Sequence, residues 1–347
     1  MAFSTLGNEF AKRVFANVIT KRALAPLYLL EGPRGVGKAT LAHQVAAALL
    51  CENPVEKPCG KCDACRKVAG FSHPDLKILL PEKASAPVPG SSIRPKDFST
   101  NQRITIAQIR QITQEANSPP MEGKIRVIIV LDGDLMTPEA QNAFLKTLEE
   151  TGSNRSFQNT FLMVSAFPER LLNTVRSRAR RVRFYNLSLQ EFSGYDFRDP
   201  PLPVPVLHRL SGGSIGLAKR FAGPELRRLR KMALATLLQD VDSLAEAVSS
   251  IRGDRDAVAT FLTLLTFLIR DAMVIHHGLS DSVVNLDLAE DLKQVAERLN
   301  LEQLDQLLLD VAFAEEAILQ RYLPADAVLL TTIRALFPKT YLDTVRL

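Results

Sequence analysis

Residues 32–38, GPRGVGK, fit the phosphate-gripping pattern G-x-x-x-x-G-K, and the residue that follows is Ala39. In such a loop, backbone N–H groups at a helix N-terminus cradle the phosphates and the lysine reaches the outer ones. A Ser or Thr hydroxyl directly after the lysine ligates magnesium. Gly32, Gly35, Gly37 and Lys38 can do the first two jobs. Ala39 cannot do the third, and Thr40, one place late, points about 100° away on a helix. A hydrolytic site also needs carboxylates at the end of a central strand, where VIIVLDGDLM (127–136) offers Asp132 and Asp134. These two either hold a metal or cap a turn. Two weaknesses in one site argue against efficient hydrolysis.

The four cysteines are the other chemical group. They fall at Cys51-x7-Cys59-x2-Cys62-x2-Cys65, inside CENPVEKPCGKCDACRKV. Two overlapping C-x2-C steps fold a tight knuckle, and a fourth thiolate closes a tetrahedron around Zn²⁺. Four protein ligands leave no open coordination position, so the zinc is expected to be structural. An iron–sulfur cluster could use the same ligands, although nothing else in the sequence points to redox work. Crowded cysteines of this kind suggest metal ligation rather than disulfides in a reducing compartment. His73, nearby in SHPD, reads as a loop histidine outside the ligand set.

These residues need a scaffold. LYLLEG (27–32) is a short apolar run before the glycine loop, and KATLAHQVAAALLC (38–51) is a helix with an apolar stripe, which gives the strand–loop–helix context that a phosphate loop requires. A helix is expected over 9–25. Further strands are expected at 75–82, 124–133, 159–167 and 180–186, with helices at 105–118, 137–151 and 168–179. Thr137 and Pro138 read as cap and first residue of the 137–151 helix. Strands alternating with helices imply a parallel sheet covered on both faces. The Ser-, Pro- and Lys-rich residues 83–103 read as a flexible loop.

Past residue 187 come a Pro-rich connection, a Gly-rich stretch and then almost only helical patterns. We expect an α/β domain over 1–186 with the cysteine module at 51–65, a small helical lid over 187–225 and an all-α domain over 226–347. A net charge of +5 leans weakly toward a polyanionic partner. The first fifteen residues carry no apolar export core. The longest charge-free apolar run, AVATFLTLLTFLI (257–269), is too short for a bilayer and reads as a buried helix.

Together, GPRGVGKATLA (32–42), the cysteine module, HPDL (73–76), MTPEAQNAFLKTLEE (136–150) and FPERLLNTVRSRARRVRF (167–184) carry a resemblance. The chain resembles the delta-prime family of bacterial DNA polymerase III clamp-loader subunits, AAA+ proteins related to gamma/tau. The resemblance covers residues 1 to about 225 specifically. It implies that Ser177 and Arg178 match a Ser-Arg-Cys signature whose arginine projects into a neighbouring subunit's ATP site, with Ala179 replacing the cysteine. Without it, Arg178 would read as one of six arginines between 170 and 183 on a solvated basic face.

The resemblance also places the family's acidic pair on Leu131 and Asp132, its phosphate-sensing polar residue on Ser165, and an arginine of active subunits where Gly216 stands. Its implication is a cytoplasmic bacterial subunit, non-hydrolysing or weakly active and without independent ATPase activity, within the DNA polymerase III holoenzyme. Its partners would be gamma/tau and delta and, through the complex, the sliding clamp and primer–template DNA, with no membrane partner. The C-terminal helices would form an oligomerisation collar, zinc would be structural, and ATP or ADP would bind weakly or not at all. The competing reading is an active AAA+ ATPase, either a gamma-type motor or a DNA-remodelling enzyme. A zinc-dependent nucleic-acid binder ranks last, since no aromatic-interleaved basic motif is present.

Overall fold

The computed structural model describes residues 3–81, 103–151, 157–200, 202–221, 225–238, 251, 253–319, 324, 327–328 and 331–332. The stretch expected as a loop over 83–103 lies outside these residues except for Arg103. The described chain divides into two compact units, one of residues 1–195 with 214–216, the other of 196–213 with 217–347.

In the first unit, α1 (Glu9–Lys21) leads to β1 (Leu27–Glu31), α2 (Lys38–Leu50), α3 (Asp63–Ala69), β2 (Leu76–Leu79), α4 (Ile106–Asn117), β3 (Ile125–Val130), α5 (Pro138–Thr151), β4 (Gln158–Ser165), α6 (Asn173–Arg178), β5 (Arg180–Arg183) and α7 (Leu189–Ser193). The five strands form one parallel sheet in the order β2-β3-β4-β1-β5. The three central strands, β1, β3 and β4, are buried on both faces and read as largely apolar runs, which is why they stand out in the sequence. Alternation sends Tyr28 and Leu30 to a core shared with Phe15 of α1 and Leu41 and Val45 of α2. It sends Leu27 and Leu29 to a second core with Ile109 of α4, Phe144 of α5 and Val175 of α6. Helices therefore cover both faces, as expected.

Of the boundaries that differ from the sequence expectation, three have a clear local reason. α1 stops at Lys21 because Arg22 turns left-handed and returns its N–H to Ile19 O and Val18 O. The helix expected over 168–179 is instead a 3₁₀ turn at Pro168–Arg170 followed by α6. Gln141 of α5 holds the break open: its Nε2 donates to Arg170 O at 3.3 Å, and its Oε1 accepts from Leu172 N at 2.6 Å. The strand expected to run to residue 186 ends at Arg183. There the Asn8 side chain takes over the pairing, exchanging two hydrogen bonds with the Tyr185 backbone at 2.7 and 3.1 Å.

The Thr137 cap is present, with its hydroxyl accepting from Ala140 N at 3.2 Å. α4 opens with a reciprocal box between Thr105 and Gln108. Its C-terminal carbonyls are closed by the buried Arg126 of β3, which donates to Glu115 O, to Ser118 O at 2.7 Å and to Pro119 O at 2.9 Å.

The second unit is helical: α8 (Val204–Leu210), α10 (Glu225–Leu237), α11 (Arg255–His276), α12 (Ala289–Arg298) and α13 (Leu301–Leu319), with α9 (Ile215–Arg220) spanning the boundary in sequence. Among the described residues one helix, Ala257–His276 within α11, is long and apolar enough to cross a membrane by length and composition. Here it packs against α10 and α13, burying Val258, Phe261, Leu265, Leu268 and Ile269.

A polar chain runs through the same interior. Arg230 of α10 donates to Asn285 Oδ1 at 2.9 Å and forks onto both Asp287 oxygens at 2.7 and 2.6 Å. Asp271 of α11, fully buried, accepts from Val284 N, Asn285 N and Asn285 Nδ2 at 2.9, 2.8 and 2.7 Å.

Candidate functional site

The glycine loop links the end of β1 to α2, as its sequence context predicts. Gly32, Gly35 and Gly37 all take positive φ, so the turn is built as such loops are built. The Lys38 ammonium bends back to donate to Gly32 O at 2.6 Å and to Pro33 O. Burial pulls its pKa down to about 8, against the opposing pull of Asp132 and Asp134 and with some help from Arg34.

Ala39 packs against the core on the α1–α2 face of the sheet, while Thr40 is exposed. The hydroxyl that could serve a magnesium ion is thus on the wrong side of the helix. Segments remote in sequence lie directly on the loop. Ser214 Oγ donates to Arg34 O at 2.9 Å, and Gly216 N donates to Gly35 O at 2.9 Å. A Cβ on Gly35 would stand 2.3 Å from Ser214 Oγ and 2.9 Å from Gly216 Cα. The N-terminal residues cover the other side: Thr5 Oγ1 donates to Gln44 Oε1 at 3.0 Å, and Asn8 Nδ2 donates to Val36 O at 3.5 Å.

The acidic end of the site is equally occupied. Leu131 is buried in the same core as Ala39, where it offers no ligand atom. Asp132 is half-buried with a left-handed backbone, and burial raises its pKa, partly offset by Arg34. Asp134 Oδ1 accepts from Ser165 Oγ at 2.7 Å and from Ala166 N at 3.1 Å. Asp134 therefore ties the end of β4 to the turn after β3, and Ser165 donates its proton within the chain.

Five of the six arginines between 170 and 183 reach partners within the chain, although most of the six are exposed. Arg181 and Arg183 both clasp Glu31, at 2.9 and 3.2 Å, where β1 ends beneath the loop. Arg170 lies over the Phe167 ring, and Arg176 bonds Asn173. Ser177 and Arg178 end α6 on the protein surface. Both reach Thr174 O, the hydroxyl at 3.1 Å and Arg178 Nη1 at 3.2 Å, and Arg178 Nη2 meets Glu149 Oε1 at 2.8 Å.

The buried Glu31 escaped the sequence reading. A glutamate inside an otherwise apolar strand, directly before the glycine loop, was the signal that could have found it.

At the other end of α2, the four cysteines converge until all their Sγ atoms lie within 4.8 Å of one another. Cys51 and Cys62 are 3.9 Å apart and Cys59 and Cys65 are 4.0 Å apart. Tetrahedral zinc with Zn–S bonds near 2.3 Å sets its sulfurs about 3.8 Å apart, so the residues fit the metal. Two backbone N–H groups point at sulfur, Cys62 N to Cys59 and Cys65 N to Cys62, each at 3.4 Å. N–H groups from Lys61 and Cys62 hold the Cys59 thiol down to about 6, whereas burial pushes Cys65 up to about 12 and raises Cys51. A bound cation would resolve this conflict by favouring all four thiolates.

His73 lies outside the ligand set, buried, its Nδ1 accepting from Asp75 N at 3.1 Å. Asp75, fully buried, accepts from Met121, Glu122 and Gly123 N–H at 2.6, 2.9 and 3.2 Å, fixing the turn that starts β3.

The family described as DNA polymerase III, delta subunit, matches residues 7–188, and its C-terminal counterpart matches 225–323. The DNA polymerase III subunit delta' of Pseudomonas aeruginosa is 33% identical over 211 residues, covering 59% of this chain and 58% of that one. The chain thus spans little more than half the length of that relative. The Escherichia coli subunit delta' is 29% identical over 300 residues, covering 84% and 82%. Among solved structures, a DNA polymerase III gamma subunit-related protein of Thermotoga maritima aligns with a TM-score of 0.40 at 17% identity, covering 95% and 98%.

Proposed function

Because this chain belongs to the DNA polymerase III delta-subunit family, in its delta-prime branch and related to gamma/tau, we propose that it is a non-hydrolysing clamp-loader subunit that completes a neighbour's ATP site with Arg178. One observation carries the reading. The chain's own loop turns Lys38 onto its own carbonyls beside Ala39, while Arg178 stands exposed at the end of α6. An arginine brought to a transferring phosphoryl group from another chain stabilises the charge developing there.

In this reading the first unit is an AAA+ domain without a working catalytic centre. Zinc on Cys51, Cys59, Cys62 and Cys65 is a structural staple. Residues 187–225 serve as the lid and 226–347 as a collar, the latter supported by Leu309 and Phe313, which lie one helical turn apart and are each 59% exposed. The partners are the gamma/tau and delta subunits and, through the assembly, the sliding clamp and primer–template DNA. The setting is the bacterial cytoplasm.

The retained glycines and Lys38 favour a second reading, an active AAA+ motor. Steady-state ATPase of the reconstituted complex separates the two. Loss of turnover with Arg178→Ala and little change with Lys38→Ala supports the subunit role; the reverse pattern makes this chain a motor.

A further inference from the structure

We propose that Glu149 is a positioning residue for Arg178, holding its guanidinium withdrawn until a neighbouring phosphoryl group displaces the carboxylate; this rests on Arg178 acting in trans. Glu149 and Glu150 occupy the last turn of α5, the negative end of that helix, where a carboxylate is disfavoured. Arg178 supplies a counter-charge across the α5–α6 contact, Nη2 to Glu149 Oε1 at 2.8 Å. Its Nη1 is engaged as well, on Thr174 O. Both terminal nitrogens of the guanidinium are therefore bonded within the chain. These bonds occupy two of the five N–H donors and fix the direction of the fork, so a neighbouring phosphoryl group competes with Glu149 for the same cation.

The pair is suited to exchange. The two side chains are 44% and 59% exposed, and a surface pair of this kind shifts an equilibrium by no more than about fivefold. A single carboxylate that weak loses to a multiply charged phosphate aligned at close range, and wins when the neighbour's site is open. Glu149 thereby fixes where the guanidinium waits and suppresses turnover while the neighbour's site is open.

The test uses the reconstituted complex, with ATPase measured alone and with clamp plus primed DNA. Glu149→Gln keeps the side-chain volume and removes the charge. We expect unstimulated turnover to rise about two- to fivefold, with stimulated kcat unchanged. The rise should disappear in an Arg178→Ala background and shrink as salt increases. Two results overturn the proposal: a fall in both stimulated and unstimulated turnover, or a lowered melting temperature with their ratio unchanged. The latter would mark an ordinary tie between two helices. Normal turnover with Arg178→Ala alone is a different failure, since it removes the trans-acting arginine itself, whatever Glu149→Gln does.

Discussion

Gly216 rests backbone to backbone on Gly35, its N–H donating to the Gly35 carbonyl at 2.9 Å, and a Cβ on Gly216 would stand 2.6 Å from Gly35 Cα. Neither partner has a side chain that could swing away. Gly216→Ala must therefore lift the start of α9 off the glycine loop, at about 1–3 kcal/mol. Hydrogen exchange over residues 32–38 and at Gly216 should accelerate, with a lower melting temperature. Unchanged protection and melting would mean that the two backbones do not meet.

The cysteine cluster should carry about one zinc per chain. Cys62→Ser removes a ligand that also accepts an N–H from Cys65. It should strip the metal and loosen residues 51–70 while the helical second unit keeps its circular dichroism, because the module's folding energy is local. Elemental analysis of protein purified without chelators decides it, and absence of both zinc and iron would end the assignment.

Lys38 should leave a signature in alkaline stability. Burial lowers its pKa from 10.5 to about 8. Between those values the unfolded chain binds the proton and the folded chain does not, so the Lys38 contribution to stability rises with pH through that window and is smallest below pH 8. Denaturant titrations of wild type and Lys38→Met from pH 7 to 10.5 should show wild type gaining on the variant as pH climbs. Parallel curves would place the ammonium in solvent.

Asp75 satisfies three backbone N–H groups from inside the protein. Asp75→Ala leaves them without that acceptor and should destabilise the first unit by about 1–3 kcal/mol. Urea unfolding measures this directly; a loss under 1 kcal/mol would show that water replaces the carboxylate.

Leu309 and Phe313 should matter to assembly and not to the isolated fold. Both are more than half exposed, so Leu309→Asp and Phe313→Ser should change chain stability by about 0.5 kcal/mol or less. Association with partner subunits should weaken at least about tenfold. Wild-type affinity in both variants would remove the collar from this surface.

What the sequence disclosed and withheld follows from the range of the interactions involved. The central strands declared themselves because burial on both faces demands largely apolar runs. The cysteines did so because a knuckle's ligands are neighbours in the chain. The break before α6 was hidden, since Gln141 creates it from about thirty residues away. Glu31 finds Arg181 and Arg183 about 150 residues later, and Gly35 finds Gly216 about 180 residues later. No local pattern encodes such pairs, and they decide what the loop can hold.

The polar chain through the helical unit has a mechanical consequence. Helices packed leucine on leucine can slip by a turn, one apolar side chain replacing the next with little penalty. Arg230 forbids it. A shift of one turn, about 5.4 Å, would carry its fork away from Asp287 and Asn285 and strand a buried guanidinium, at about 3–5 kcal/mol. The polar chain therefore keys α10 and α11 to the 284–287 segment like splines on a shaft, so that a displacement of one carries the other two with it.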